Sequence, residues 1–237
     1  MKYKTAIVVG ASSGMGRELV RQLASSGTKV AAIARRSDRL QELAAEFPGL
    51  VTPIIHDVTD YEAIPALFQT VTRDLGGLDL FIYNSGAMPI IEANEFTWTK
   101  DKQMLDVNVC GAVAWCNHAA ERFMHTGHGC LVGIGSVAGD RGRHKQPVYN
   151  ASKAFFHTYL EALRNRGVCV STIKPGPVDT EMTAALNMKG MMSASTAASI
   201  ILSKADKNGE HYLKLAHRIA FYIIKRIPSP LFRKLKI

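Results

Sequence analysis

The chain has 237 residues, 47% of them hydrophobic, with four cysteines and a formal net charge of +9. That length supports one large domain, and that apolar share excludes wholesale disorder. Residues 211–237 hold seven Lys/Arg (Lys214, Arg218, Lys225, Arg226, Arg233, Lys234, Lys236) and no acid, leaving 22 Lys/Arg against 20 Asp/Glu elsewhere. The body is therefore near neutral and does not read as a nucleic-acid binder. The cysteines (Cys110, Cys116, Cys130, Cys169) form no CxxC pair, which reads as a reduced, cytoplasmic protein. His125, His128 and Cys130 fit no usual zinc spacing, so no metal is expected. The start, MKYKTAIVVG, is too short in its apolar part for a signal peptide. No apolar run approaches the ~20 residues that span a bilayer.

In chain order, the pattern predicts strand 4–10, helix 14–26, strand 28–34, helix 38–47, strand 50–58, helix 61–74 and strand 78–84. It continues with one long helix or two over 96–126, strand 130–136, helix 149–165 and strand 168–176. Near-continuous apolar strands, each followed by a helix, predict an α/β fold. The sheet is expected to be parallel, Rossmann-like and doubly wound, with about seven strands and helices on both faces. Residues 1–210 are expected to form one dinucleotide-binding catalytic domain, with 211–237 as a basic amphipathic tail.

The first strand runs into GASSGMG, with Gly10, Gly14 and Gly16 around Ser12, Ser13 and Met15. A glycine turn entering a helix lets backbone approach a pyrophosphate, which the helix N-terminus then holds through free N–H groups. A ligand-free tight turn is the alternative. The second strand ends VAAIARR, with Ala34 where an acid would hold a ribose 2′-OH, followed by Arg35 and Arg36. Guanidinium forks suit a 2′-phosphate, so NADP(H) is expected over NAD(H). A surface arginine pair is the structural alternative.

Six ordered motifs resemble the short-chain dehydrogenase/reductases over about residues 4–205. They are GASSGMG, the Asp57-Val58 pair, YNSGA (83–87), Asn108 in NVCG, Ser136 in GIGSVAG with Tyr149-Asn-Ala-Ser-Lys153, and PGPVDT (175–180). In YNSGA, Asn84 and Gly86 match the family pattern NNAG, while Tyr83 and Ser85 depart from it. The resemblance implies that Asp57 meets the adenine, with Val58 beside it, and that Asn84, Ser85 and Gly86 face the cofactor. It also implies that Pro175, Gly176, Val178 and Thr180 cradle the nicotinamide. Asn108, Ser136, Tyr149 and Lys153 then form the catalytic set, Lys153 holding the ribose as well and Asn108 holding a water that relays protons.

Tyr149 and Lys153 share a helix face at i, i+4. An ammonium ~5 Å from the phenol, at an effective dielectric of ~20, is worth roughly 3 kcal/mol to the phenolate, about two pKa units. That would bring Tyr149 toward working pH as a general acid/base, with the Ser136 hydroxyl polarising the substrate oxygen. The expected function is an NADPH-dependent oxidoreductase that reduces a ketone or aldehyde, or oxidises the corresponding alcohol. The alternative is a catalytically idle, nucleotide-sensing or interaction protein on the same fold.

Segment 183–195 corresponds to the family's mobile lid, with Gly190 as a hinge. Met182, Met188, Met191 and Met192 suit a lipophilic substrate, or else pack on the core. In the tail, a helix over 215–227 carries Leu215, Ile219, Tyr222, Ile223 and Arg226 along one side, and Pro228 and Pro230 break it. Apolar faces with only basic charges read as a peripheral membrane contact, a helix on a partner subunit, or a segment folded onto its own active site. The helices at 107–126 and 149–165 resemble the family's dimer-forming pair, so a homodimer or homotetramer is expected.

Overall fold

Apolar runs with no polar alternation have to be covered on both faces, and every residue of β1 (Thr5–Val9) is buried. The computed structural model describes residues 2–92, 94–186 and 188–235, with the Leu186 side chain also left aside. Asn187 in the expected lid and Lys236 in the tail thus lie outside the described residues. After β1 come α1 (Gly14–Ser25), β2 (Lys29–Ala34), α2 (Ser37–Glu46), β3 (Val51–Ile55), α3 (Ile64–Leu75) and β4 (Leu80–Tyr83). Then follow α4 (Trp98–Leu105), a π-helical turn (Asp106–Cys110), α5 (Gly111–Thr126), β5 (Cys130–Ile134), a 3₁₀ turn (Val137–Asp140) and α6 (Pro147–Asn165). The chain continues through β6 (Val170–Lys174), β7 (Val178–Asp179), a 3₁₀ turn (Ala184–Leu186), β8 (Met192–Ser193) and α7 (Ala194–Lys204). It ends with β9 (Gly209–Tyr212), α8 (Leu215–Ile224) and α9 (Ser229–Lys234).

Seven strands pair in the order β3-β2-β1-β4-β5-β6-β9, all parallel. One face packs Val8 and Ile82 under Leu19, Leu23, Leu43 and Ile201 of α1, α2 and α7. The other packs Phe81 and Leu131 under Phe68, Trp115, Phe123, Phe156 and Leu160 of α3, α5 and α6. Winding reverses between β1 and β4. The carboxyl ends of those strands part there and open a crevice.

Two features of the fold were not visible in the sequence pattern, and each has a physical cause. The third strand was expected over 50–58 but stops at Ile55, which pairs with the last residue of β2, Ala34. As an edge strand β3 has no other partner, so it tolerates Pro53, and after the His56 N–H bonds the Ala34 carbonyl the chain leaves the sheet. The stretch 96–126 is one helical path interrupted by the π turn. The hydroxyls of Tyr61 and Tyr83 donate to the Asp106 and Val107 carbonyls of that turn at 3.2 and 2.7 Å. The last strand, β9, pairs with β6 as far as Tyr212 and completes the seven.

The tail folds back onto the body. Arg141 donates to the carbonyls of Ile224 and Lys225 at 3.3 and 3.0 Å and lies 4.5 Å from the Phe232 ring centroid. Lys225 pairs with Asp140 at 2.8 Å. Outward, Leu215, Ile219, Tyr222 and Ile223 form an exposed apolar row along α8. Among the described residues no helix is long and apolar enough to cross a membrane.

Asp140, with its side chain 1% exposed, joins this tail to the sheet. It also accepts from Lys174 Nζ at 2.9 Å and the Tyr212 hydroxyl at 2.6 Å, and His157 lies 3.9 Å away. Burial pushes the Asp140 carboxyl up, but hydrogen bonds from Lys225, Tyr212 and Lys174 outweigh it and hold the pKa below its ordinary value. Stability from Asp140 is therefore present above the unfolded-state carboxylate pKa and lost as pH falls through the folded one. Removing one partner from a buried charge cluster costs about 3–5 kcal/mol. Asp140→Ala is expected to lower the urea midpoint accordingly at pH 7; a midpoint within error of the wild type would show that the cluster contributes nothing.

Candidate active site

The turn after β1 is shaped by close approach. Gly10 and Gly14 have φ of +88° and +52°, a region that strains residues with a Cβ. A Cβ on Gly16 would collide with the Gly10 carbonyl oxygen, and one on Gly10 would lie 2.6 Å from the Ser85 nitrogen. Asn84 Nδ2 donates to the Gly10 carbonyl at 2.9 Å, fastening β4 to the turn. Ser13 occupies the N-cap of α1 without a side-chain capping bond. The first-turn N–H groups are left facing the crevice, where an anion would satisfy them.

The crevice has a volume of about 400 Å³, and Gly10, Ser12, Ser13, Gly14 and Met15 line it together with Arg35, Arg36, Asp57 and Val58. Asn84, Ser85, Gly86 and Thr180 also line it. Of the expected cofactor residues, Gly16 sits behind the turn as the point of close approach, and Tyr149, Lys153, Pro175, Gly176 and Val178 do not line this crevice.

The two arginines differ in position. Arg35, its side chain 67% exposed, reaches Asp57 only at 3.5 Å. Arg36 is held by the hydroxyls of Ser12 at 3.0 Å and Ser13 at 2.6 Å, and by the Glu181 carboxylate at 2.7 Å. Glu181, on the segment after β7, is a crevice residue that sequence reasoning missed, because its partner lies 145 positions away. Hydrogen bonding from Arg36 holds its carboxyl below the ordinary range.

Asn108 lies buried on the π turn. Its Oδ1 accepts from the Ala87 N–H at 2.7 Å, and its Nδ2 donates to the Ala87 carbonyl at 2.9 Å and to Ser152 Oγ at 3.1 Å. Ser152 is a second supporting residue that the sequence reading did not single out. Ser136 caps the 3₁₀ turn, accepting from the Ala138 N–H at 3.1 Å, while Val137 N–H bonds the Pro175 carbonyl at 2.9 Å. The Ser136 turn and the Pro175–Gly176 segment are thus tied together. Gln146, with φ +59°, reverses the chain, and Pro147 starts α6 two residues before Tyr149.

Tyr149 and Lys153 share the inner face of α6, both buried. Lys153 Nζ lies 5.9 Å from the Tyr149 ring centroid and donates to the Ile134 carbonyl at 3.0 Å. A Cβ on Gly86 would be 3.5 Å from Asn108 Oδ1 and 3.6 Å from Lys153 Nζ, so both atoms reach one point beside β4. Lys153 does not bring the Tyr149 pKa down as their spacing suggests. Burial pushes the phenol above its ordinary value, opposed by Ser136 and by the Arg143 charge. Burial likewise pulls Lys153 down to about 8. Desolvation of both groups exceeds the attraction that spacing alone suggested.

The segment from Thr180 to Met191 is closed at its base by β7–β8 pairing, Val178 against Met192 and Asp179 against Ser193. Gly190 stands at φ +72° in open space. Met182 and Met188 are exposed, and Met182 Cε comes 3.8 Å from the position of a Gly86 Cβ. On the far side His217 of α8 fills the space a side chain at Gly176 would need, so the tail borders the site.

The short chain dehydrogenase family model matches residues 4–191. An uncharacterized oxidoreductase of Myxococcus xanthus (strain DK1622) is 36% identical over 243 aligned positions, covering 98% of this chain and 96% of the relative. One from Staphylococcus aureus (strain N315) is 32% identical, covering 78% and 82%. Among solved structures, the closed form of a serine dehydrogenase complexed with NADP+ superposes with a TM-score of 0.78 at 25% identity, covering 84% of this chain and 88% of that one. ElxO with NADP bound shares the fold at a TM-score of 0.80 and 17% identity, covering 92% and 100%. With its parallel sheet, glycine turn and Ser136–Tyr149–Lys153 arrangement, the chain belongs to the short-chain dehydrogenase/reductase family of oxidoreductases.

Proposed function

We propose that the protein is an NADPH-dependent carbonyl reductase, able to run in reverse on the corresponding alcohol. The observation that carries this reading is the placement of Asn108, Ser136, Tyr149 and Lys153 at the carboxyl edge of the sheet, beside a glycine-turned crevice that ends in Arg36. The residues fit a dinucleotide: the α1 N-terminus and the Gly10–Gly14 backbone for pyrophosphate, Asp57 and Val58 for the adenine end, and Arg36 with Ser12 and Ser13 for a 2′-phosphate. Gly86, Lys153 and the Pro175–Thr180 segment would hold the nicotinamide end. NADPH when bound supplies the hydride.

The chain supplies polarisation and the proton. Ser136 Oγ can donate to a carbonyl oxygen as negative charge builds on it. Tyr149, its phenol kept protonated by burial, is suited to give that oxygen its proton. Lys153, 5.9 Å from the ring, stabilises the phenolate left behind. Asn108 fixes the Ala87 backbone and, through Ser152, the start of α6. The exposed Met182 and Met188 suit an apolar portion of the substrate.

Tyr149→Phe is expected to lower carbonyl-dependent NADPH oxidation by about 10²–10⁴-fold and leave NADPH binding unchanged. Retained turnover would overturn the assignment of the proton donor. In the wild type, kcat/KM for reduction is expected to hold up to about pH 8 and decline above it, as Lys153 loses its charge while Tyr149 stays protonated. A limb that keeps its position in Lys153→Arg would separate it from Lys153. Arg36→Ala is expected to raise KM for NADPH about 10–100-fold, the worth of a charge-assisted contact, with little change for NADH. An equal loss for both cofactors would count against a 2′-phosphate site. NADPH binding with no turnover across ketones, aldehydes and acyl thioesters would favour an idle, nucleotide-sensing protein.

A further inference from the structure

Residues 141–144, in the loop joining Ser136 to Tyr149, and helix α9 form a second, open cavity, about 460 Å³ in volume. That size suits a small molecule. Its wall includes Arg141, Arg143, His144, Phe232 and Arg233, and no Asp or Glu lines it. Uncompensated positive charge around a concave space favours an anion.

The arginines have separate duties. Arg141 is committed to the wall through its bonds to the Ile224 and Lys225 carbonyls and its stacking on Phe232. Arg143 makes a single bond, from Nη2 to Asn150 Oδ1 at 3.3 Å, and its Nε is buried with no partner among the described residues. A withdrawn guanidinium with an open donor is costly unless something accepts from it. Burial pulls the Arg143 pKa below its ordinary value, which an anionic ligand would offset. Arg233 lines the opposite side from α9 and is exposed. Arg143 links the cavity to α6: it bonds Asn150, the residue after Tyr149, and its charge acts on the Tyr149 phenol.

We propose that this cavity holds the anionic group of an acidic carbonyl substrate, a carboxylate or a phosphate, between Arg143 and Arg233, with the carbonyl directed toward Ser136 and Tyr149. Planar guanidinium forks match either oxyanion. This rests on the reductase reading and narrows it. The basic tail is then part of the substrate site, since it supplies Arg233 and the residues that hold Arg141.

The test has two arms on the full-length protein saturated with NADPH, which keeps probes out of the cofactor crevice. Titration of inorganic phosphate, followed by calorimetry, is expected to show one site, weakened about tenfold in Arg143→Gln and in Arg233→Gln. The exposed Arg233 variant keeps this arm decisive if the Arg143 variant misfolds. Absence of binding, or binding untouched by Arg233→Gln, overturns the proposal. In the second arm a keto acid is compared with its methyl ester. The acid is expected to be favoured at least about tenfold in kcat/KM, and Arg233→Gln is expected to remove that preference. Equal turnover of acid and ester also overturns it. If neither is reduced while phosphate still binds and responds to the substitutions, the reductase reading fails and the anion site stands.

Discussion

The contact between Gly16 and the Gly10 carbonyl is the constraint on which the rest of the site depends. No side chain fits there, so α1 can begin close against the end of β1. The Asn84 amide then bonds the same carbonyl and joins β4 to the turn. These contacts lie at the point where the sheet order reverses, and they set both walls of the crevice. Ser85 and Gly86 follow directly, and Gly86 lies beside Asn108 and Lys153. A backbone approach in the first βα turn is therefore connected, through Asn84, Ser85 and Gly86 at the exit of β4, to the groups assigned to proton transfer.

A second organising element is the buried charge at Asp140. It stands four residues after Ser136 and gathers Lys174 from β6, Tyr212 from β9 and Lys225 from the tail. Ion pairs at such depth are weak evidence for net stability, but they do fix where their members sit. Here they hold the start of the loop that carries Arg141 and Arg143, and through Lys225 they bring α9 against it. At the crevice, Arg36 pairs with the exposed Glu181, which ties the segment after β7 to the end of β2.

The sheet, its winding and most element positions were legible in the sequence because buried parallel strands leave unbroken apolar runs. The glycine turn was legible because close approach allows so few residues. Strand three was overextended because nothing in LVTPIIHDV records that it lies at an edge. The π turn carrying Asn108 left no periodic break to read, yet it accounts for Tyr83, a departure from the family pattern whose hydroxyl bonds that turn. The Tyr149 pKa was misjudged for a related reason: spacing reports distance along a helix but not burial. Glu181, Ser152 and the Asp140 cluster were hidden because their partners lie far away along the chain. The tail was read as amphipathic and basic, but periodicity does not say which surface an amphipathic helix meets.

The order in which these parts are made matters. The strands that frame the crevice are all synthesised well before α8 and α9. The loop between Ser136 and Tyr149, however, is fastened by Arg141 to the Ile224 and Lys225 carbonyls and by Asp140 to the Lys225 side chain. The strands that frame the crevice can therefore pair while this loop is still unfastened, and the loop takes its final position only once α8 has been made and has docked.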